Sequence, residues 1–220
     1  MIETLKKILY LALIKKSYSQ DFEDLFLTNY FKKKDKGFYI DLGSHHPKRF
    51  SNTYLLYKKG WNGINIDANK FAINLFNFLR PRDQNISAVI STSNEQVNFY
   101  EFDEYALNGI ISTKRVSRLE EMGYKVKRII VISPITIQNI IDEFQLYEKQ
   151  IDFLKIDLEG LDLQIIKNQS FLKLNIELLM IEKGSEEDNI EITKLLSFNS
   201  FKIIHESKRN YIFKNINSKN

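Results

Sequence analysis

Acidic side chains end four short apolar runs in this sequence, at Asp41, Asp67, Asp157 and Glu182. A polar residue at the end of a strand is often only a turn former, so one such carboxylate says little. Four of them at equivalent positions indicate a shared edge that binds a cationic or polyhydroxyl ligand. Carboxylate oxygens suit such a ligand because they accept hydrogen bonds from hydroxyl groups.

Two of the three histidines, His45 and His46, follow the first apolar run directly after Gly43-Ser44. An imidazole titrates near neutral pH, so a histidine at this edge can act as a general base. The other interpretation is a side chain that fixes the loop by hydrogen bonding. For His45 both interpretations stay open, for His46 we favour loop fixing, and we assign no role to His205.

Strands that alternate with helices would bring the four carboxylates together. Apolar runs predict strands at 38–43, 64–67, 86–90, 97–102, 129–132, 151–157 and 178–182. Helical spacing and capping residues predict helices at 21–34, 52–59, 69–79, 116–122, 136–147 and 188–198, with Phe71, Leu75, Phe76 and Leu79 facing inward. The alternation predicts an α/β fold with a mostly parallel sheet, helices on both faces, and an antiparallel edge hairpin at 201–205 and 211–214.

The spacing between Gly43 and Asp67 is typical of a nucleotide-binding sheet. Asp67 follows Gly43 by about 24 residues, near the spacing at which an acid binds ribose hydroxyls. The first loop reads Asp41-Leu42-Gly43 and lacks the G-x-G-x-x-G pattern that cradles a pyrophosphate. We therefore expect an adenosyl cofactor without phosphates, and we expect that NAD and NADP do not bind.

Composition limits the class of protein. The chain has 220 residues, of which 43% are hydrophobic, enough for one globular α/β domain. The absence of cysteine excludes disulfides, thiolate metal ligands and cysteine nucleophiles, and agrees with a cytoplasmic location. A net charge of only +4, without a basic stripe, argues against a nucleic-acid partner.

The first residues, MIETLKKILYLALIKKS, predict an amphipathic helix at 3–16. Its apolar run from Ile8 to Ile14 is shorter than the roughly 20 residues that cross a bilayer, so we expect no transmembrane segment. Packing on the domain is favoured, and peripheral membrane contact is the alternative. We predict a helical extension over residues 1–36 and a catalytic domain over 37–220.

Several segments together resemble one family of enzymes. They are GFYIDLGSHHPKRFSNTYLLYKKGWNGINIDAN, LRPRDQNI, FYEFDEYALN, IDFLKIDLEGLDLQIIK and LLMIEK. In this combination the chain resembles the FkbM family of S-adenosylmethionine-dependent methyltransferases, from about Ser17 to Lys183. The upstream segment SYSQDFEDLFL resembles the branch of that family found in surface-polysaccharide gene clusters.

The resemblance implies a Rossmann-like class I methyltransferase sheet with S-adenosyl-L-methionine as cofactor. It implies cofactor contacts from Gln20, Asp41, Gly43, Ser44, His45, Asp67, Ala68, Ser87, Ala88, Asp157 and Glu159. His45 stands where the general methyltransferase loop D-x-G-x-G has its second glycine, so we expect this loop to run differently.

Methyl transfer to a hydroxyl needs an aligned acceptor and a group that removes its proton. We expect the catalytic residues among Asp157, His45 and Glu182. Asp157, Glu159 and Glu182 with a histidine could instead form an oxygen-rich cation site, but nothing in the spacing demands one, and a metal-independent reaction is favoured. Asn108 follows a strand in an irregular segment and is a candidate to cover the methyl group.

The expected function is methylation of a sugar hydroxyl in a surface glycan or its precursor. Two alternatives remain open. One keeps the cofactor but takes an amine, a carboxylate or another small molecule as acceptor. The other is a non-catalytic cofactor-binding protein that serves as a partner in glycan assembly.

Overall fold

The computed structural model describes residues 16–104 and 107–218, so most of the helix expected at 3–16 lies outside the described residues. The strands are β1 (Phe38–Leu42), β2 (Asn62–Asp67), β3 (Gln84–Ser87), β4 (Ile90–Ser91), β5 (Val97–Phe102), β6 (Val126–Ile132), β7 (Ile135–Thr136), β8 (Gln150–Ile156), β9 (Asn175–Glu182), β10 (Phe201–Glu206) and β11 (Asn210–Asn215). The helices are α1 (Glu23–Tyr30), α2 (Tyr54–Lys58), α3 (Lys70–Leu79), α4 (Thr113–Glu121), α5 (Ile137–Phe144), α6 (Asp162–Ile166), α7 (Gln169–Leu172) and α8 (Glu186–Phe198), with a 3-10 turn at Leu146–Glu148.

Seven strands form the central sheet in the order β10-β11-β9-β8-β1-β2-β3. The pairs from β9 to β3 are parallel, whereas β11 runs antiparallel to both of its neighbours. The predicted α/β class, with a mostly parallel sheet and an antiparallel edge, is confirmed. The strand numbers increase from the β1–β8 pair toward both edges of the sheet, so the strand order reverses at this pair. In open α/β sheets, ligands bind at such a point.

The two faces of the sheet are covered by different helices because side chains alternate along each strand. Tyr39 and Phe153 lie in one buried cluster, which includes Leu27 of α1 and Leu56 of α2. The intervening residues of the same strands lie in a second buried cluster with side chains of α5, α6 and α8. Helix α1 therefore shares a core with β1 and β8.

Two details of the predicted elements are wrong. Phe71 and Leu79 of α3 are 71% and 43% exposed, because this helix turns Ala72, Ile73 and Phe76 inward instead. The predicted strand at 86–90 is two strands: β3 belongs to the central sheet, whereas β4 pairs with β7. The chain leaves the sheet after Ser87.

An antiparallel hairpin of β5 and β6 interrupts the alternation of strands and helices. Together with α4 it has a small core of its own, formed by Tyr100, Phe102, Ile111 and Leu119. This hairpin lies beside the carboxyl ends of the parallel strands and closes one wall of a cleft there. Among the described residues, none of the helices has the length and apolarity needed to cross a bilayer.

Candidate active site

A cleft of about 740 Å³ opens at the carboxyl ends of β1, β2, β8 and β9. Ligand-binding clefts typically have volumes of about 300–1,000 Å³, so this one can hold a nucleoside cofactor together with part of an acceptor. Nine of the residues expected in the site line it: Gln20, Gly43, His45, Asp67, Ala68, Ala88, Asp157, Glu159 and Glu182.

Asp67 ends β2 with its carboxylate at the cleft. Oδ2 accepts the backbone N–H of His45 at 2.7 Å, and Oδ1 accepts the backbone N–H of Asn69 at 2.8 Å. Burial raises the pKa of Asp67, and these two hydrogen bonds partly offset that rise. Each carboxylate oxygen has further acceptor capacity. The two oxygens are thus held in a fixed orientation that suits a pair of hydroxyl groups.

Gly43 lies in the left-handed region, with φ of 77°, immediately after β1. A Cβ at this position would lie 1.9 Å from the carbonyl oxygen of Asp157. This position requires glycine because the loop after β1 passes directly against the backbone of Asp157. Glycine lets the loop after β1 and the loop after β8 touch, which brings their functional residues to one place.

His45 has φ of 56°, so the residue at the second-glycine position keeps the left-handed backbone that glycine adopts easily. The His45 ring faces the Phe50 ring, with centroids 6.3 Å apart. His46 shapes the loop, as expected, because its Nδ1 accepts the backbone N–H groups of Lys48 and Arg49.

Three carboxyl groups meet at the ends of β8 and β9. Oxygens of Asp157, Glu159 and Glu182 lie within 4.8 Å of one another. Burial, Asp157 and Glu159 together raise the pKa of Glu182 to about 8. Burial, and then Asp157, raise the pKa of Glu159, whose carboxylate accepts a hydrogen bond from Arg115 Nη2 at 2.6 Å. The cluster can hold a proton between its members, or a cation.

Lys155 is a buried cation beneath this cluster, with its Nζ 3.1 Å from Asp157 Oδ2 and 3.4 Å from Asp41 Oδ1. Its ammonium also donates to the carbonyl of Gly43 at 2.8 Å. Burial alone would lower the pKa of Lys155, but Asp157 and Asp41 outweigh burial and raise it. Lys155 therefore stays charged and holds the two loops in register.

The family can be assigned from the sequence match. The family model described as Methyltransferase FkbM domain matches residues 41–213, which include the whole glycine loop and the carboxyl cluster. The chain belongs to the FkbM methyltransferase family. No curated protein matches this methyltransferase in sequence.

Among solved structures, this FkbM methyltransferase is similar to the METTL16 MTase domain, with 11% sequence identity and a TM-score of 0.45. That match covers 86% of this chain and 64% of the METTL16 domain, so the chain spans less than two thirds of the matched structure. It is also similar to human methyltransferase 10 domain containing protein, with 13% identity, a TM-score of 0.38, and 87% and 80% of the two chains covered.

Three expected site residues of this FkbM methyltransferase do not line the cleft. Asp41 is buried behind Lys155 and accepts a hydrogen bond from Thr53 Oγ1 at 3.0 Å. Ser44 is buried, and its hydroxyl has no hydrogen-bond partner among the described residues. Ser87 is exposed at the end of β3, paired in register with Asp67.

Sequence reasoning missed several residues that the cleft contains. Lys155 could have been found from the sequence, because it lies inside an apolar strand and a lysine there is rarely buried without carboxylate partners. Arg49, Phe50 and Arg209 line the cleft but follow no pattern in the sequence. Asn108 lines the cleft as well, and its Oδ1 accepts the backbone N–H of Phe102 at 2.8 Å, so it also closes a turn.

Proposed function

We propose that this protein is an S-adenosylmethionine-dependent O-methyltransferase that acts on a sugar hydroxyl of a surface glycan or its precursor. The observation that carries the proposal is the carboxyl cluster of Asp157, Glu159 and Glu182, in the same cleft as the Asp67 carboxylate. One end of such a cleft suits a ribose, and the other suits a positively charged methyl donor and a hydroxyl acceptor.

The residues present fit this cofactor. Asp67 offers two oriented oxygens to the ribose hydroxyls, and Ile66, Ala88 and Val89 form an apolar surface beside it for an adenine ring. When bound, the cofactor supplies a methyl group activated by a positively charged sulfur. Three nearby carboxyl groups favour that charge electrostatically.

Glu182 is assigned as the group that accepts the hydroxyl proton. A carboxyl group with a pKa near 8 is a stronger base than an ordinary glutamate once it is ionised. The Lys155 ammonium lies 3.1 Å from Asp157 Oδ2 and fixes this side chain beside Glu182. When the acceptor oxygen displaces the sulfur, so that the methyl carbon–sulfur bond breaks as the carbon–oxygen bond forms, ionised Glu182 would take the hydroxyl proton on a carboxylate oxygen.

A metal-independent reaction remains our proposal, because Lys155 already supplies a positive charge against the cluster. Addition of a chelator is expected to leave methyl transfer unchanged. Loss of activity with chelator, and its recovery with a divalent cation, would assign the three carboxyl groups to metal binding.

Support for the glycan acceptor comes from the segment SYSQDFEDLFL and its resemblance to the surface-polysaccharide branch. The proposal includes a cytoplasmic location, which agrees with a chain that contains no cysteine. Peripheral membrane contact through residues 3–16 is retained as a proposal; those residues lie almost wholly outside the described part of the chain.

The cofactor assignment is tested by calorimetric titration with S-adenosylmethionine and S-adenosylhomocysteine. Asp67→Asn removes the charge that accepts the ribose hydroxyls and should weaken both by about tenfold or more. Asp142→Asn, an exposed carboxylate change on α5, serves as the control. Unchanged affinity in Asp67→Asn would refute the ribose contact, and saturable binding of NAD or NADP would refute the choice of cofactor.

Methyl transfer from labelled cofactor to a panel of sugars, amines and carboxylates identifies the acceptor class. Label transferred to a hydroxyl supports the proposal. Label on an amine or a carboxylate supports the alternative acceptors. Tight cofactor binding with no transfer to any compound of a broad panel supports the non-catalytic partner.

A further inference from the structure

We infer that the acceptor carries an anionic group, a carboxylate or a phosphate, which Arg49 and Arg209 bind while the acceptor contacts the exposed part of the Phe50 ring. The inference rests on the proposed function and specifies its substrate class. We call these three residues the arginine wall of the cleft.

Phe50 presents a partly exposed ring to the cleft, beside the His45 ring and the Arg49 guanidinium. Its side chain lines the cleft and is 45% exposed, and its backbone has φ of 56°. A left-handed backbone is strained for a bulky residue, and such strain is typically retained where a ligand is held. Burial of the ring offsets little of this strain energy, because the side chain is 45% exposed. The exposed part of this ring is an apolar surface in a polar cleft, and it suits the carbon–hydrogen groups of a sugar ring.

Arg49 lies over this ring, with its guanidinium carbon 4.7 Å from the centroid of Phe50. Among the described residues, it forms no ion pair with a carboxylate, whereas Arg128 on the opposite hairpin pairs with Glu101 through two contacts of 2.9 and 3.1 Å. A stacked guanidinium keeps its N–H donors free at the edge, where they can bind a carboxylate or phosphate through two parallel hydrogen bonds.

Arg209 lies beside the proposed base. Its neighbour Asn210 is the register partner of Glu182 in the β11–β9 pair, and the carbonyl of Arg209 accepts the backbone N–H of Lys183 at 2.7 Å. The side chain is 44% exposed, and its only ion pair among the described residues is to Asp21, at 3.5 Å. The guanidinium lines the same cleft and therefore keeps donors for a ligand there.

One short segment joins the two arginine-bearing loops. The carbonyl of Tyr18 accepts the backbone N–H of Ser51 at 3.1 Å, and Asp21 Oδ2 accepts the backbone N–H of Arg209 at 3.1 Å. Arg49 and Arg209 thus flank the same strip of chain, 18–21, on the same side of the cleft. We assign both guanidinium groups to one acceptor, through one anionic group or through two.

The charges of the cleft orient such an acceptor. Asp157, Glu159 and Glu182 form its negative end and would repel a carboxylate or phosphate. The arginine wall attracts that same group. An acceptor with a hydroxyl at Glu182 and its anionic group at the wall satisfies both ends of the cleft at once.

The test compares three probes of similar ring size: D-glucuronate, D-glucose 1-phosphate and the neutral methyl glucoside. Binding is followed by ligand-observed NMR titration, with and without S-adenosylhomocysteine, so the preference for an anion is read whether or not the cofactor binds. At least one anionic probe should bind about tenfold more tightly than the neutral one, the value expected for a charged hydrogen-bonded pair. The two anionic probes distinguish a carboxylate from a phosphate acceptor.

Arg49→Gln and Arg209→Gln should each remove most of this preference, and Phe50→Leu should weaken all three probes. Lys48→Gln removes one charge from the same loop, at an exposed residue that does not line the cleft, and should change nothing. Equal binding of the neutral and anionic probes overturns the inference. It is also overturned if the arginine variants lose cofactor affinity while their probe affinity is unchanged, because the guanidinium groups would then bind the cofactor carboxylate.

Discussion

Lys155 makes the carboxyl cluster asymmetric at the scale of single residues. Its ammonium lies 3.1 Å from Asp157 Oδ2, whereas among the described residues it forms no ion pair with Glu182. Asp157 raises the pKa of Glu182, and the charge of Lys155 offsets that rise only in part. One buried lysine thus places unequal positive charge beside two carboxyl groups at neighbouring strand ends.

Glu182→Gln should lower the turnover number by about 10²–10⁴-fold, the usual contribution of a general base. In the wild type, kcat/KM should rise with pH and level off above about 8, because only ionised Glu182 accepts the proton. A pH–rate profile of both proteins checks this. Retention of turnover in Glu182→Gln would move the assignment to Asp157.

The same substitution should stabilise the free protein as pH rises. The pKa of Glu182 is about 8 when folded against a reference value of 4.5, so between these values the folded state binds more protons than the unfolded state. Wild-type stability therefore falls with rising pH in that window, and the Gln variant lacks this loss. The variant should be about 1–2 kcal/mol more stable at pH 8, with solvent screening allowed for, and equally stable near pH 4. Denaturant unfolding at several pH values measures the difference.

His45→Gly separates the backbone of this residue from its ring. Glycine adopts a φ of 56° without strain and keeps the N–H that Asp67 accepts at 2.7 Å. Cofactor affinity should stay within about threefold of the wild type. The hydrogen bond that orients Asp67, worth about 1 kcal/mol, comes from the backbone and is kept in the variant. If turnover also survives, the imidazole is structural; if turnover is lost at unchanged affinity, the ring takes part in proton transfer. His46→Gly, which removes the acceptor of two backbone N–H groups, is the matched comparison.

At the scale of elements, the site depends on contact between the loops that follow β1 and β8. Backbone groups make part of this contact, since Asp157 N–H donates to the carbonyl of Leu42 at 3.1 Å. Arg80 holds the far side of the first loop, with Nε donating to the carbonyl of Pro47 and its two terminal nitrogens donating to Thr53 and Ser51. Arg49 and Phe50 of the arginine wall thus stand on a loop that a buried guanidinium fixes at three points.

Gly43→Ala should destabilise the protein by well over 2 kcal/mol, because it combines a left-handed backbone with a Cβ 1.9 Å from a carbonyl oxygen. Gly123→Ala is the matched control: its φ is 96°, but a Cβ there meets nothing within 4 Å. The control should lose only about 1–2 kcal/mol, the strain of the left-handed backbone alone. Chemical denaturation of both variants checks the difference. Equal losses would show that the contact between the two loops does not require glycine.

At the scale of the whole molecule, Glu23 connects the two ends of the described chain. Its buried carboxylate accepts hydrogen bonds from Ser207 Oγ at 2.7 Å and from Asn210 Nδ2 at 2.6 Å. Burial by itself would raise the pKa of Glu23, but these hydrogen bonds and backbone donors outweigh it and lower the pKa. The segment before β1 is thereby joined to the turn between the last two strands, next to Arg209.

Glu23→Ala should destabilise the protein by about 2–4 kcal/mol at neutral pH, because buried donors lose a charged acceptor. The lowered folded pKa means that the contribution of Glu23 is fully present above the reference value of 4.5 and is lost as pH falls below it. The cost of the substitution should therefore shrink in acid. Thermal unfolding across this pH range tests it, with exposed Glu187→Ala as the control. A cost that does not change with pH would contradict an ionised Glu23.

The sequence by itself determined the elements and the edge at which function is concentrated. Alternating apolar residues and strand-end acids are local signals, and they predicted the mostly parallel sheet and brought Asp67, Asp157 and Glu182 to one cleft. Capping is equally local: Thr136 was predicted to begin a helix, and it caps α5 with a reciprocal hydrogen-bonded pair to Asn139. Such signals can be read because the interacting residues lie within a few positions of one another.

Only the tertiary structure decided which of these residues touch. β1 and β8 are neighbours although about 110 residues separate them in the chain, and that pairing places Gly43 against Asp157 and Lys155 between two carboxylates. The inward face of α3 and the exposure of Phe50 likewise depend on how a helix rotates and how a loop is anchored. Strand order, helix rotation and loop anchoring are set by packing between segments that are distant in the chain. Local sequence patterns therefore do not predict their effects on the site.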